Sequence, residues 1–595
     1  MADIALRFEK DIVVLDGAMG SLILAEGIDS DFHQMLLNVL EPELIQSIHQ
    51  RYLLAGAQAL TSNSFSGSRS QLAVHGLADR VEELNRAAVR LAKALRPQHV
   101  LADVGPCGLL MPPFGNSSFA EVFDIYAEQI SALAAEQPDA ILIETMIDIA
   151  DARCALLAAK SVTNLPVLVS VSLAANGRME LSATDAATAA VILQAAGADV
   201  VGLNCGLGPD FYLQPLADMA AVSDLPLLVQ PNAGLPELSA DGRTVYSGTT
   251  DQMAEAAWAY RQLGAQLIGS CCGSNPSHTA AIFATVSGLD AIKPNRVVNN
   301  ASPDSARFNQ SPVPLIAKQP LRMVLASPTG LVEISSDGPC RIIGERINPS
   351  GKEQLTSELA AGDLALASSL CIDQVAAGAE LIDVNVGAKE VDTRAVFPAL
   401  TSELASFCKA PLVLDCWNAE ALEAALKIYP GRALINSVSG SESSLERILP
   451  MAKQYGAAVI ALCVSGREMP ESVEEIIAIA EQIRAAAHAV GLTDNDLLFD
   501  AVAPAAVAHP NALELAVATV AEMAARGWLS VLAISNISFK MDDRSSLNAE
   551  FVSAAIAAGL NAAFINPNDE LVMAATQAAN VARAQQQQAH LTSLA

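Results

Sequence analysis

Short β-branched, apolar runs alternate with Ala/Leu-rich stretches of helical period along the first half of the chain. The runs are IVVLDG (12–17), AQALTSNSF (57–65), HVLADVG (99–105), DAILIETM (139–146), LPVLVSVSL (165–173), ADVVGLNC (198–205), LPLLVQPN (225–232) and AQLIGSCC (265–272). Stretches such as PELIQSIHQRYLLAG between them place apolar residues at helical spacing, which marks amphipathic helices. Eight strands separated by helices in this way predict a (β/α)8 barrel. Functional side chains in that architecture collect where strands end at the C-terminal rim. Here the strand ends carry Asp16, Asn63, Asp103, Glu144, Asn204–Cys205 and Cys271–Cys272.

The pattern breaks over 288–338, a Pro-, Asn- and Ser-rich stretch that reads as an interdomain linker. Within it, LRMVLASPTGLVEIS is expected to form a small strand pair that closes the bottom of the next barrel. A second series then runs RIIGERIN (341–348), AELIDVNVG (379–387), PLVLDCW (411–417), RALINSVSG (432–440), AAVIALCVS (457–465), DLLFDAVA (496–503), LSVLAISNISF (529–539) and AAFINPND (562–569). Its rim residues are Asn348, Asp383, Asn385, Asp415, Asn436, Asp500 and Asn536. The expected fold is therefore α/β: two tandem (β/α)8 TIM barrels, over 1–287 and 339–580, with the linker at 288–338 between them and a Gln-rich polar tail at 581–595.

Composition fits two large cores. Hydrophobic residues make up 52% of the 595 positions, charged residues 17% and aromatics only 4%, so the cores are built from Ala, Val, Leu and Ile. Ten unevenly spaced cysteines read as reduced thiols in a cytoplasmic protein rather than as a disulfide framework. The start lacks a signal-peptide layout and no run of 18 apolar residues occurs, so no membrane partner is expected. A net charge of −30 argues against nucleic acid, whose phosphates need a basic surface.

The cysteines carry the sharpest chemical signal. Cys205 in GLNCGLGP and the vicinal pair in IGSCCGSNP each follow a strand run. Two strand ends meeting at one rim aim three thiolates at a single point, and three sulfurs plus one vacancy suit a catalytic zinc. The plainer reading, small buried hydrophobes, is taken for Cys154, Cys371 and Cys408. For the trio, spacing alone leaves both readings open, because the ligands are far apart in the chain and form no CxxC knuckle. The Asn/Asp set of the second series suits a flat heterocycle rich in donors and acceptors. Helix capping is the competing explanation for each one singly.

Together these residues resemble known families. DGAMGS (16–21), the stretch 37–69, LIETM (142–146), GLNCG (202–206) and GSCCGSNPSH (269–278) resemble the homocysteine S-methyltransferase domain. GERINPSGK (344–352), LIDVNVGAKEVDTR (381–394), INSVSG (435–440), ISNISF (534–539), NAAFINP (561–567) and the Asp500 strand resemble the pterin-binding methyltransferase domain. In this order, over about 10–575, they are similar to the N-terminal half of the cobalamin-dependent methionine synthase family. The resemblance implies zinc held by Cys205, Cys271 and Cys272, with homocysteine bound near Asp16, Gly17, Ala18, Met19, Gly20, Glu144 and Asn204. It implies 5-methyltetrahydrofolate held by Asn348, Asp383, Asn385, Asp415, Asn436, Asp500 and Asn536, with Asn536 nearest the reacting N5. Cys205, Cys271, Cys272 and Asn536 are thus the expected catalytic residues. The implied reaction passes a methyl group from folate to zinc-bound homocysteine through a corrinoid (methylcobalamin) carrier.

The sequence departs from the family in places. No DxHxxG cobalamin motif occurs, so a separate corrinoid protein or a missing module is the expected partner. Cys416-Trp417, Lys540 and Pro470 replace the family's usual residues at the second rim. Two alternatives stay open at this level: direct homocysteine methylation from a small onium donor, and a non-catalytic folate-binding or docking protein.

Overall fold

The computed structural model describes residues 11–28, 32–238, 244–289, 320–466 and 469–594. The chain divides into two compact units, Met1–Asn299 and Asn300–Ala595. Most of the expected linker, 290–319, lies outside the described residues. Among the described residues no helix is long and apolar enough to cross a membrane.

In the first unit the barrel strands are β1 (Val13–Val14), β2 (Ala59–Thr61), β3 (His99–Val104), β4 (Ala140–Met146), β5 (Val167–Val171), β6 (Val200–Cys205) and β7 (Leu227–Pro231). A hairpin that the pattern reading did not anticipate, β8 (Pro236–Leu238) with β9 (Thr244–Tyr246), precedes β10 (Ala265–Ile268). The eight barrel strands run parallel in the order β1-β10-β7-β6-β5-β4-β3-β2. Val13, Leu15, Leu101, Leu142, Leu168, Val200, Leu228 and Leu267 form the buried interior. β1 and β2 share no ladder; a bridge between Leu15 and Ala59 and the Gln58 N–H to Val14 O bond (2.8 Å) join them instead.

The second unit opens with an antiparallel pair, β11 (Arg322–Ala326) and β12 (Leu331–Ser335). Its Met323, Leu325 and Ile334 are fully buried in one cluster with Ile343, Leu381, Val413, Leu434, Leu498 and Leu529. These barrel residues sit near the N-terminal ends of their strands, so the pair plugs the bottom of the barrel as expected. Residues 320–338 of that stretch therefore belong to this unit. A closed parallel barrel comes next: β13 (Arg341–Ile347), β14 (Leu381–Asn385), β15 (Leu412–Asp415), β16 (Leu434–Ser439), β17 (Ala458–Leu462), β18 (Leu497–Asp500), β19 (Ser530–Ala533) and β20 (Ala562–Ile565). Strands covered on both faces need continuous apolar runs, which is why their signal was legible.

Two expectations are corrected. β19 stops at Ala533, its last pairing with β20, and ISNI forms a short helix, Ile534–Ile537. Arg544 stabilises that turn by donating to Ser535 O (3.0 Å) and Ser538 Oγ (3.1 Å). The polar stretch from 581 is no separate tail, because the last helix runs Glu570–Leu594. Asn580 exchanges hydrogen bonds with the Cys340 backbone, and Arg583 donates to Leu560 O and Ser336 O, which ties the helix to the barrel.

Candidate active sites at the two barrel mouths

β6 and β10 flank β7, so the turns that succeed them meet at one rim. Cys205 ends β6, and Cys271–Cys272 lie just past β10. The sulfurs of Cys205 and Cys272 are 4.0 Å apart, as are those of Cys271 and Cys272. All three lie within 4.8 Å of one another and are half-buried. Backbone bonds fix the arrangement: Cys271 N–H to Pro231 O (2.7 Å), Ala233 N–H to Cys272 O (3.0 Å) and Asn232 N–H to Leu207 O (3.1 Å). Cys205 has φ +60°, a left-handed conformation that costs a non-glycine residue roughly 1–2 kcal/mol. The hydroxyl of Tyr212 holds that strained turn by donating to Cys205 O (2.8 Å) and Asn204 O (3.1 Å). Such strain persists at functional sites where the surroundings enforce it. Gly273 has φ +76°, and a Cβ there would stand 2.1 Å from the Tyr246 ring of β9. Only glycine lets the hairpin approach the cysteine turn.

Hydrogen bonds from the Cys205 and Cys271 thiols hold Cys272 well below the ordinary thiol range. Asn232 is buried and donates to Gly206 O at 3.1 Å, but its side-chain oxygen meets no donor. That oxygen stands just past the end of β7, the strand between the two cysteine turns. Sequence reasoning missed it, although PNAG follows a strand run.

Asp16 accepts from the N–H and the hydroxyl of Thr61, both at 2.8 Å, and so spans the β1–β2 junction. Burial pushes it up to about 7. Ala18 N–H donates to Ser274 Oγ (3.1 Å), and Tyr52 donates to Ala18 O (2.9 Å). Gly17, Met19 and Gly20 are half-buried beside them. Glu144, near the end of β4, is raised by burial and then by Cys205. Asp103 is also raised, by burial and by the neighbouring Glu144 charge. Asn204 is fully buried: its amide N donates to Glu144 (2.6 Å) and Thr145 Oγ1 (2.7 Å), and its oxygen accepts from Thr145 N–H and Ser170 Oγ, both at 2.8 Å. It is a positioning residue for Glu144 and has no free capacity for a ligand.

In the second unit, Asn385, Asp415 and Asn436 are direct register partners across three adjacent strands. Asn385 donates to Asp415 at 2.7 Å, and Asn436 to the buried Asp383 at 3.3 Å. Asp383 is raised well above the usual carboxylate range by burial and by Asp415. Asp415 is raised by burial. Burial also pushes Asp500 up to about 6, against an opposing bond from Val502 N–H. Val502 has φ +59°, a genuine outlier for a β-branched residue. Glu345, missed by the sequence reading although it lies within GERIN, is raised by burial and accepts from Ser535 Oγ at 2.9 Å. Four carboxyls in one sheltered mouth suit a ligand that presents N–H groups.

Two expected residues, Asn348 and Asn536, are placed differently from that polar set. Asn348 accepts from Ser350 N–H (3.0 Å) within its own loop, a turn role rather than the helix cap that was the alternative to ligand binding. Asn536 sits on the Ile534–Ile537 helix, exposed, with no side-chain hydrogen bond among the described residues. Cys416 turns inward, its sulfur 3.5 Å from Asn418 O, so Trp417 alone of that pair faces the mouth's exterior. Lys540, where the family has glycine, has φ +64° and lies over the Phe539 ring at 5.5 Å.

Burial pushes Asp500 up to about 6, so affinity for a ligand that donates N–H groups to its carboxylate should fall about tenfold per pH unit below that value as the acceptor is lost. Titration calorimetry with a flat N–H-bearing heterocycle checks this, and Asp500→Asn should remove that step.

A family profile described as homocysteine S-methyltransferase matches residues 13–286, and one described as pterin binding enzyme matches 344–566. Methionine synthase of Mycobacterium tuberculosis is 28% identical over 607 aligned residues, covering 94% of this chain and 48% of that protein. Methionine synthase of Mycobacterium leprae is 28% identical over 599, covering 95% and 48%. The chain thus spans about half the length of the curated relatives it matches. Among solved structures, the metallated homocysteine methyltransferase of Escherichia coli aligns at 24% identity with a TM-score of 0.40, covering 47% of this chain and 98% of that one.

Proposed function

We propose a function for a chain that carries a homocysteine S-methyltransferase domain ahead of a pterin-binding domain and is homologous to methionine synthase along 94% of its length: it moves a methyl group from 5-methyltetrahydrofolate to homocysteine, giving methionine, with a corrinoid carrier supplied by another protein or module. The observation that carries this reading is the trio Cys205, Cys271 and Cys272, whose sulfurs lie within 4.8 Å of one another at a barrel mouth.

The trio fits zinc. Sulfurs bound tetrahedrally at about 2.3 Å stand about 3.8 Å apart, close to the 4.0 Å edges found here. Cys205, Cys271 and Cys272 would hold the ion and leave one position for the substrate sulfur. Bound there, zinc would deprotonate the homocysteine thiol, which is otherwise mostly protonated at neutral pH.

The chain's own groups then orient the substrates. Glu144, fixed by Asn204, takes the amino acid's ammonium, and the Asp16–Gly20 turn backs it. In the second mouth Asp383, Asn385, Asp415 and Asn436 pair with the pterin edge while Asp500 orients the ring. The methylated N5 is a poor leaving group until it is protonated. Asn536, exposed on its short helix and without a side-chain partner among the described residues, is free to bond near that proton. Two substrates held in separate mouths need a carrier to pass the methyl group. All ten cysteines are free thiols, which fits a reducing cytoplasmic setting.

The test is methionine formation from methyltetrahydrofolate and homocysteine. Purified zinc-loaded protein alone should give none, and added reduced cobalamin or a corrinoid protein should start turnover. Sustained methionine formation without any corrinoid would overturn the proposal in favour of direct transfer.

A further inference from the structure

We propose that Trp417 is a stacking platform for the second aromatic ring of the folate, the arylamine between pterin and glutamate, and so selects whole folates over free pterins. The proposal rests on the reading of the second mouth as a methyltetrahydrofolate site.

Trp417 is 81% exposed, the most exposed large apolar side chain among the described residues of its unit. Its neighbour Cys416 is buried, so the turn after β15 separates the two side chains, one inward and one outward. Leaving an indole in water forgoes a large burial gain, and no aromatic or cationic partner occupies its face among the described ring contacts.

Its position ties it to the polar pocket. Cδ1 and Nε1 of the indole lie 3.8 Å from where a Cβ on Gly387 would stand. The N–H of Gly387 donates to Asn385 Oδ1 (2.7 Å), and Asn385 in turn donates to Asp415 (2.7 Å). The ring thus rests on the loop that the pocket's own Asn–Asp pair organises. A Cβ at 387 would stand in ordinary van der Waals contact with the indole edge. Two residues farther along the same loop, Lys389 is exposed and makes no ion pair among the described residues. A polar cradle, an aromatic plane and then an ammonium match the order of pterin, arylamine and glutamate in a folate.

The experiment compares 5-methyltetrahydrofolate with 6-methylpterin, binding each to the full chain and to Trp417→Ala by titration calorimetry. Trp417→Ala should weaken the whole folate about tenfold and leave the fragment within about twofold. Trp417→Phe should recover most of the loss. Tryptophan emission is a second readout: of Trp258, Trp417 and Trp528, folate should quench the component that Trp417→Phe removes. Equal weakening of both ligands would overturn the proposal by making the indole part of the pterin pocket itself. Unchanged affinities with impaired reaction toward a corrinoid protein would overturn it in favour of protein docking. If the unaltered protein binds neither ligand, the pterin-site reading fails and this proposal falls with it. If it binds both, and Trp417→Ala changes nothing, only the stacking role fails.

Discussion

Cys272→Ala should empty the first site of metal and abolish homocysteine methylation in the same protein. Each of the three sulfurs supplies one position of a tetrahedral site that must keep a fourth open, so loss of one leaves two protein thiolates on a half-exposed rim. Zinc content should fall from about one to below about 0.1 per chain after dialysis, and methyl transfer from free methylcobalamin to homocysteine by at least about 10³-fold. Cys205→Ala and Cys271→Ala should behave alike. Folding should survive, because Cys272 sits on a turn beyond β10 and outside the barrel's apolar interior. A small hydrophobe in the same place would give the opposite pattern, lower stability with no change in metal. Full zinc in Cys272→Ala would refute the assignment.

The second large effect is separability. Asp500→Asn or Asn536→Ala should slow demethylation of methyltetrahydrofolate by cob(I)alamin by about 10²-fold or more, yet leave homocysteine methylation by methylcobalamin within about twofold. The ground is structural: Asp500 and Asn536 belong to a unit with its own closed barrel and its own core. Nothing that positions Glu144 or the cysteines passes through them. An Asn536→Ala protein that is folded and zinc-loaded but has lost both reactions would show that the sites are not independent.

How far these sites could be read in advance depended on the range of the interactions. Strand runs were legible because burial on both faces imposes continuous β-branched sequence, and rim residues emerged from where each run stops. The cysteine trio was legible because chemistry restricts the residue type. Contacts between distant strands were not. Nothing in LIETM announces that Glu144 lies beside Asp103, or that Asn204 is spent on holding it. Glu345 was passed over because its partner, Ser535, lies on a turn that was read as strand. Asn232 carries no pattern of its own; its unmatched oxygen appears only when β7 is set between β6 and β10. The β8–β9 hairpin escaped because PEL and TVY form no continuous β-branched run of the kind that marks the barrel strands.

The most direct test of the central claim, two independent sites joined by a mobile carrier, is a mixing experiment. Cys272→Ala and Asp500→Asn proteins are assayed separately and together for methionine formation from methyltetrahydrofolate and homocysteine, with excess free cobalamin under reducing conditions. Each alone should be nearly inactive, and the mixture should recover turnover within a few-fold of the unaltered protein at the same concentration of intact sites. A mixture as inactive as its components, under conditions where the unaltered protein turns over, would contradict the account.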